Sequence, residues 1–397
     1  MTTTTLPLAT IRAERPRLMT GALLLRFVSI VACSVSFFLP LAVVPLLAGG
    51  ASPVAGGIAN GALLAATVAG ELASPWLMDR FGARAVLAAG LVLLGAPTFL
   101  MIASSSVAAL AGIGALRGLG FALAIVAGGA VTAALVPAER RGEGLALAAL
   151  VSAVPSLAAL PLGVTITAAA GPDVVFAIAG AAPLLALASV AGLPGRRPSP
   201  ERDAARRAGS RPSGILAGLR SPALLRPALV FAGSAAVAGV VVTCVPGALT
   251  GTASAVAPAL LLLQPASTAL GRWVAGRFGD RRGHRRLFLP GIALSAAGMA
   301  AMAATASPVL VLTGAAVFGL GFGALQNATI AAMYDSADSA QYGTVSAVWN
   351  AGYDGGMAVG ALAVSALAAL IGASAAFLAL ALALPLVLTL VRRTTAA

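Results

Sequence analysis

Apolar stretches of about twenty residues follow one another along nearly the whole chain, each long enough to cross a hydrocarbon core of roughly 30 Å. Of the 397 residues, 59% are hydrophobic and 9% charged, where a soluble domain carries roughly 25% charged residues. Burying such a chain in water is not feasible, so it reads as an all-α integral membrane protein. The stretches fall near 23–48, 54–78, 85–103, 107–136, 144–169, 174–193, 227–250, 256–276, 287–305, 308–334, 344–370 and 373–391, which gives twelve expected transmembrane spans. The first of them, Leu23 to Gly49, is too long for a signal-peptide core and lacks a clear cleavage site, so it reads as an uncleaved span.

Charge follows the same division. The connections near 49–53, 104–106, 170–173, 251–255, 306–307 and 371–372 contain no arginine, whereas the alternate connections and both termini hold nearly all of it. Positive residues are retained on the cytoplasmic side, so both termini are expected there. The net charge of +13 is therefore topological, and no nucleic-acid partner follows from it. All 25 basic residues are arginine. With so much alanine and glycine this suggests a GC-rich genome, hence a bacterial inner membrane. Without lysine there is no phosphate-binding P-loop and no Schiff base. One histidine, His284, leaves no histidine metal cluster, and Cys33 and Cys244 fall inside apolar spans, with no disulfide framework implied. No catalytic group, metal or cofactor is expected, and the chain is not read as an enzyme.

An internal repeat organises the spans. Adding 201 to Asp79, Arg80, Gly82 and Arg84 gives Asp280, Arg281, Gly283 and Arg285. The same offset takes Gly118-Leu119-Gly120-Phe121 onto Gly319-Leu320-Gly321-Phe322, Gly70 onto Gly271, and Gly90 onto Gly291. Two blocks holding one offset without a gap imply a parallel repeat, the pattern of a transporter with its site between halves. The expected organisation is a six-helix half over 1–195, a solvated linker over 196–225 rich in arginine, proline and serine, and a second half over 226–397.

The charged hairpin "PWLMDRFGARAVL" at 75–87 interrupts two apolar runs. It resembles the signature loop of the major facilitator superfamily, Gly-x-Leu-Ala-Asp-Arg-x-Gly-Arg-Arg. The match is at Leu77, Asp79, Arg80, Gly82 and Arg84, with departures at Pro75, Met78 and Ala83. The second copy matches at Gly276, Asp280, Arg281, Gly283 and Arg285. The resemblance implies twelve helices in two six-helix halves, and a hairpin that latches the halves on the cytoplasmic side. It places Asp79 by the start of span eleven, near Tyr342 to Thr344, and Asp280 by the start of span five. The residues themselves also allow a plainer role, a turn held in the cytoplasm by its arginines, with Gly82 tolerating positive φ.

Ionisable residues inside the membrane cost roughly 2.5–3.5 kcal/mol on insertion scales, which makes each a functional candidate. Arg117, in "GALRGLGFA", lies about ten residues into span four, roughly 15 Å deep. Its segment resembles the fourth-span motif of drug–proton antiporters at the arginine and at Gly118 and Gly120, without that motif's glutamine. In span five, Pro155, Pro161 and Gly163 keep only part of the antiporters' glycine-rich proline motif. Asp354 lies at similar depth on span eleven, on a stripe with Ser346, Asn350, Tyr353 and Met357. Glu71 sits on span two with Asn60, Thr67 and Ser74 on one face. Spans two and eleven meet in the superfamily, so Glu71 and Asp354 are expected near each other, where close carboxylates share a proton. Candidate substrate contacts are Phe37 and Phe38 on span one, Gln326 and Asn327 on span ten, and Asn350. Simple packing accounts for these residue types equally well. Together these features imply a proton-coupled exporter of hydrophobic or amphipathic small molecules, acting as a monomer in a lipid bilayer. The alternative is an importer of a sugar or organic acid on the same fold.

Overall fold

A computed structural model describes residues 19–49, 53–104, 106–137, 141–193, 215–337 and 342–387. Each apolar segment contains one main helix: α1 (Gly21–Phe38), α2 (Pro53–Phe81), α3 (Ala83–Gly95), α4 (Val107–Leu135), α5 (Arg141–Ala170) and α6 (Pro172–Ala191), then α7 (Pro222–Thr243), α8 (Ala257–Arg282), α9 (Phe288–Met302), α10 (Pro308–Tyr334), α11 (Tyr342–Ile371) and α12 (Ala373–Ala383). Ten of the described helices are long and apolar enough to cross a membrane. The helices α9 and α12 are shorter: α9 has 15 residues, and α12 with its 3-10 extension is described as far as Val387.

Local chemistry sets the ends. Thr20, Ser106 and Ser307 cap α1, α4 and α10 by accepting the N–H of Leu23, Ala109 and Leu310. Pro172, Pro222 and Pro308 occupy first helical positions, where their missing N–H is not needed. The first span breaks after Phe38 at Pro40 and resumes as Val43–Gly49.

Element boundaries repeat at the offset of 201. The pair Arg141–Ala170 becomes Tyr342–Ile371, and the 3-10 turn His284–Leu287 with α9 stands where Ala83 onward stands in the first half. Packing repeats as well. A Cβ added at Gly118 would meet the carbonyl of Leu63, and one at Gly319 the carbonyl of Gln264, which is Leu63 plus 201. Gly90 abuts Gly120 on α3 and α4 as Gly291 abuts Gly321 on α9 and α10. Such bare helix faces let backbones approach where the hydrophobic effect offers no drive.

The hairpin between α2 and α3 is tighter than a loop. α2 runs through Pro75 and Asp79 to Phe81, α3 begins at Ala83, and only Gly82 lies between them, at φ 83°. Gly283 does the same at φ 88°. No L-residue adopts that backbone without strain, which explains glycine at both places. The expected linker is described only in its second part. Residues 196–214 lie outside the described residues, but Ile215–Arg220 is a short helix and α7 already starts at Pro222.

Within each half α2 packs on α4 and α8 on α10; between halves α2 meets α11 and α5 meets α8. The α2–α11 seam is close: a Cβ at Gly57 would strike Ser365 and Ala361, and one at Gly61 would strike Leu362. At the end away from the charged hairpins Asn60 donates to Thr243 Oγ1 across the halves at 2.9 Å. Outward faces carry leucines such as Leu185, Leu370 and Leu382, at least three-quarters exposed, as a hydrocarbon surround requires.

Candidate functional site

The α2–α11 seam carries two carboxyl groups. Glu71, half-buried on α2, and Asp354, buried on α11, lie close enough for their carboxyl groups to interact. Two carboxylates offer only acceptors, so a hydrogen bond between them requires that one carry a proton. Glu71 Oε2 is buried with no further partner. The other members of the two polar stripes go elsewhere. Thr67 and Ser74 turn their hydroxyls back on their own helix, to Leu63 and Gly70, and are fully buried. Ser346 bonds Tyr334. Asn60 is spent on Leu41 and Thr243.

Beside Asp354 stands a group of stacked rings. Trp349 lies 4.4 Å from Phe231, and Tyr353 lies 5.7 Å from Phe231 and 6.1 Å from Phe322 by centroids. These rings join α7, α10 and α11. Arg272 on α8 is near enough to Tyr353 to act on it electrostatically, and its side chain is exposed. It lies ten residues before Arg282, about 15 Å into the helix. Asn327, half-buried on α10, faces Gly276 one turn further along α8, and its Oδ1 is buried without a partner. Asn350 is half-buried one turn before Asp354, and Gln326 is buried on α10.

Arg117 is fully buried. It donates to the main-chain carbonyl of Ser36 at 2.6 Å, its Nε has no partner, and among the described residues no carboxylate balances it. Arg26, on α1, is a second buried guanidinium, bound to Gly128 O, Thr132 Oγ1 and Ser29 Oγ. Phe37 is buried, stacked on Phe121 at 3.7 Å, which makes it a packing residue; Phe38 remains half-buried at its edge.

At the hairpins, Asp79 and Arg80 are exposed, while Arg84 donates to the carbonyl of Ala191 at the end of α6. A cation there is favoured by the helix dipole. Arg285 reaches Ser336, and Arg281 is exposed. Asp79 and Thr344 are both engaged in interactions; the side chains of Asp280 and Tyr342 lie outside the described residues.

A cavity of about 390 Å³ lies at the end away from the hairpins, lined by Pro45, Gly56, Thr243, Cys244, Ser365 and Phe377 among others. It is not lined by Glu71, Arg117 or Asp354. Among the described residues no three His, Cys, Asp or Glu side chains converge on a common point.

A family model described as Major Facilitator Superfamily matches residues 26–252 and 247–396. The chain belongs to the Major Facilitator Superfamily. It is a multi-pass membrane transporter, not an enzyme. Solved transporter structures superpose over nearly its whole length. The nucleoside transporter NupG is 14% identical, with a TM-score of 0.70, 93% of this chain and 97% of that one covered. A peptide transporter in complex with sulfate is 17% identical, with a TM-score of 0.73 and 94% of each chain covered. A peptide-transporter-family protein in complex with 5-aminolevulinic acid is 13% identical, with a TM-score of 0.72, covering 93% and 95%. At these identities the likeness is one of fold. No curated protein sequence matches the chain.

Sequence reasoning missed Arg272, Arg26 and the ring stack. The signal for Arg272 was present: the offset of 201 takes Glu71 onto it.

Proposed function

We propose that the chain crosses a bacterial inner membrane twelve times, with both termini cytoplasmic, and acts as a monomer. In this reading, halves 1–195 and 226–397 alternate about a central site and move small amphipathic molecules outward in exchange for protons. The observation that carries the proposal is the Glu71–Asp354 contact across the seam between halves. With one proton between them the carboxyl groups hold α2 against α11. Once that proton leaves, two like charges face each other where little water screens them, and the seam is pushed apart. Protonation and seam closure are thereby one event, which is what coupling requires. Phe38, Asn327 and Asn350 line the substrate path, and Arg117 holds a fixed positive charge in the first half. The hairpins serve as cytoplasmic latches through Asp79 and Asp280; normal transport by Asp79→Asn would leave them only their turning role.

The test is transport in proteoliposomes under an imposed pH gradient. Asp354→Asn mimics the protonated pair, so it should exchange substrate passively but fail to accumulate it. Accumulation at the wild-type level would remove the proton from this site. Uptake is a second reading, and one observation favours it: the site carries an exposed guanidinium, Arg272, which suits a polar cargo. Right-side-out and inverted vesicles under the same gradient separate the two directions.

A further inference from the structure

Glu71 and Arg272 occupy equivalent places in the repeat, on α2 and α8 at the same depth. Their surroundings differ. Glu71 meets Asp354 on α11; the residue equivalent to Asp354 on α5 is Ala153, which is exposed and carries no charge. The acid therefore has a carboxyl neighbour in the other half, whereas at the place equivalent to that neighbour the repeat supplies only a methyl group. Among the described residues neither member of the carboxyl pair bonds to Arg272.

A lipid-facing position does not account for this arginine. About 15 Å along the helix a bare guanidinium in hydrocarbon is costly, and Arg272 lies on the stripe of α8 that meets α10. Thr268 one turn before abuts Gly323, and Gly276 one turn after abuts Asn327. That stripe leads to Tyr353 and so to Trp349, the two partly buried rings of the stack. Among the described residues, a cation with no bonded carboxylate and two rings with partial exposure come together from α8 and α11, beside the Asn327 amide of α10.

We propose that this site binds an aromatic carboxylate, its anionic group on Arg272 and its ring against Trp349 and Tyr353. The guanidinium fork matches a carboxylate through two parallel N–H donors, and a planar ring stacks on the exposed aromatic edge of the cluster. The inference rests on the reading of this region as the substrate site and gives that substrate a chemical class.

Binding to the purified full-length protein in detergent, with no gradient, tests it. Radiolabelled phenylacetate is the probe, competed by phenylacetamide and by phenethylamine, which share the ring and differ in charge. The carboxylate should bind at least about ten-fold more tightly than either competitor. Arg272→Gln should lose that preference while keeping the weak binding of the amide. Arg272→Lys should keep part of it, and Arg272→Glu should reverse it in favour of phenethylamine. The proposal is overturned if the wild type shows no saturable binding of phenylacetate, if the amide competes equally, or if the preference survives Arg272→Gln. If the glutamine variant does not fold, the lysine and glutamate variants decide the same question. Failure of the coupling reading looks different: selective binding with no gradient-driven transport sinks coupling and leaves this inference standing, and driven transport without charge preference does the reverse.

Discussion

A guanidinium with no carboxylate beside it alters what Arg117 can do. Sequence reasoning could place it near mid-membrane, because depth is a matter of counting residues along a helix. Its partner was not legible, since Ser36 lies 81 positions away on α1 and offers a main-chain carbonyl, a group every residue has. Removing Arg117 therefore strands no carboxylate among the described residues. What remains is a buried cation with one charge-assisted hydrogen bond and an unsatisfied Nε, an arrangement that costs stability as readily as it adds it. Arg117→Met keeps the volume and removes the charge, so its thermal midpoint in detergent should equal or exceed that of the wild type while gradient-driven transport falls at least about ten-fold. Arg117→Lys should recover little, because a compact ammonium cannot reproduce the planar fork. Wild-type transport by the methionine variant would reduce Arg117 to packing. Glu71 and Asp354 were legible to a greater degree: their meeting was foreseen from the pairing of spans two and eleven, and the side chains do meet.

Helices in this chain are held by what their glycines leave out. Gly118 and Gly120 were noted in the sequence as neighbours of an arginine, yet their physical work is to bring α4 against α2 and α3. A Cβ at Gly118 would run into the backbone of Leu63, and one at Gly120 into Leu94 and Gly90. Gly129, on the same helix, has nothing within 4 Å of an added Cβ. Gly118→Ala should thus destabilise the fold by on the order of 1–3 kcal/mol through forced helix separation. Gly129→Ala should be neutral or stabilising by up to about 1 kcal/mol, because alanine is the better helix former. Thermal unfolding of both variants in one detergent checks the contrast, and equal midpoints would refute the close-packing account. The polar stripes show the limit of helical periodicity. It put Thr67, Glu71 and Ser74 on one face correctly, but hydroxyls can satisfy themselves on the carbonyl one turn back, and a carboxyl cannot. Of these three, only Glu71 was left to seek a partner outside its helix, as Asn60 on the same stripe does with Leu41 and Thr243.

Across the whole molecule the repeat was the feature most fully readable. An offset read from two short blocks reproduces helix boundaries, positive-φ turns and glycine contacts throughout both halves. What it could not give was the differences between halves, because a repeat fixes backbone positions and says nothing of the side chains substituted on them. The alternating access proposed above requires that the halves part at the end where Asn60 and Thr243 join them. There Asn60 of the first half donates to Thr243 of the second, between the helices that border the cavity at Pro45, Gly56 and Ser365. A chain with Cys33 and Cys244 replaced by alanine, and with Asn60→Cys and Thr243→Cys, can be bridged there by a short thiol-reactive cross-linker with a cleavable disulfide. Bridging should stop transport and cleavage should restore it. Substrate added from the hairpin side should still bind to the bridged protein, and substrate added from the other side should not. If the bridged protein transports at the unbridged rate, the halves do not separate at Asn60 and Thr243, and the opening must be sought at the α5–α8 seam.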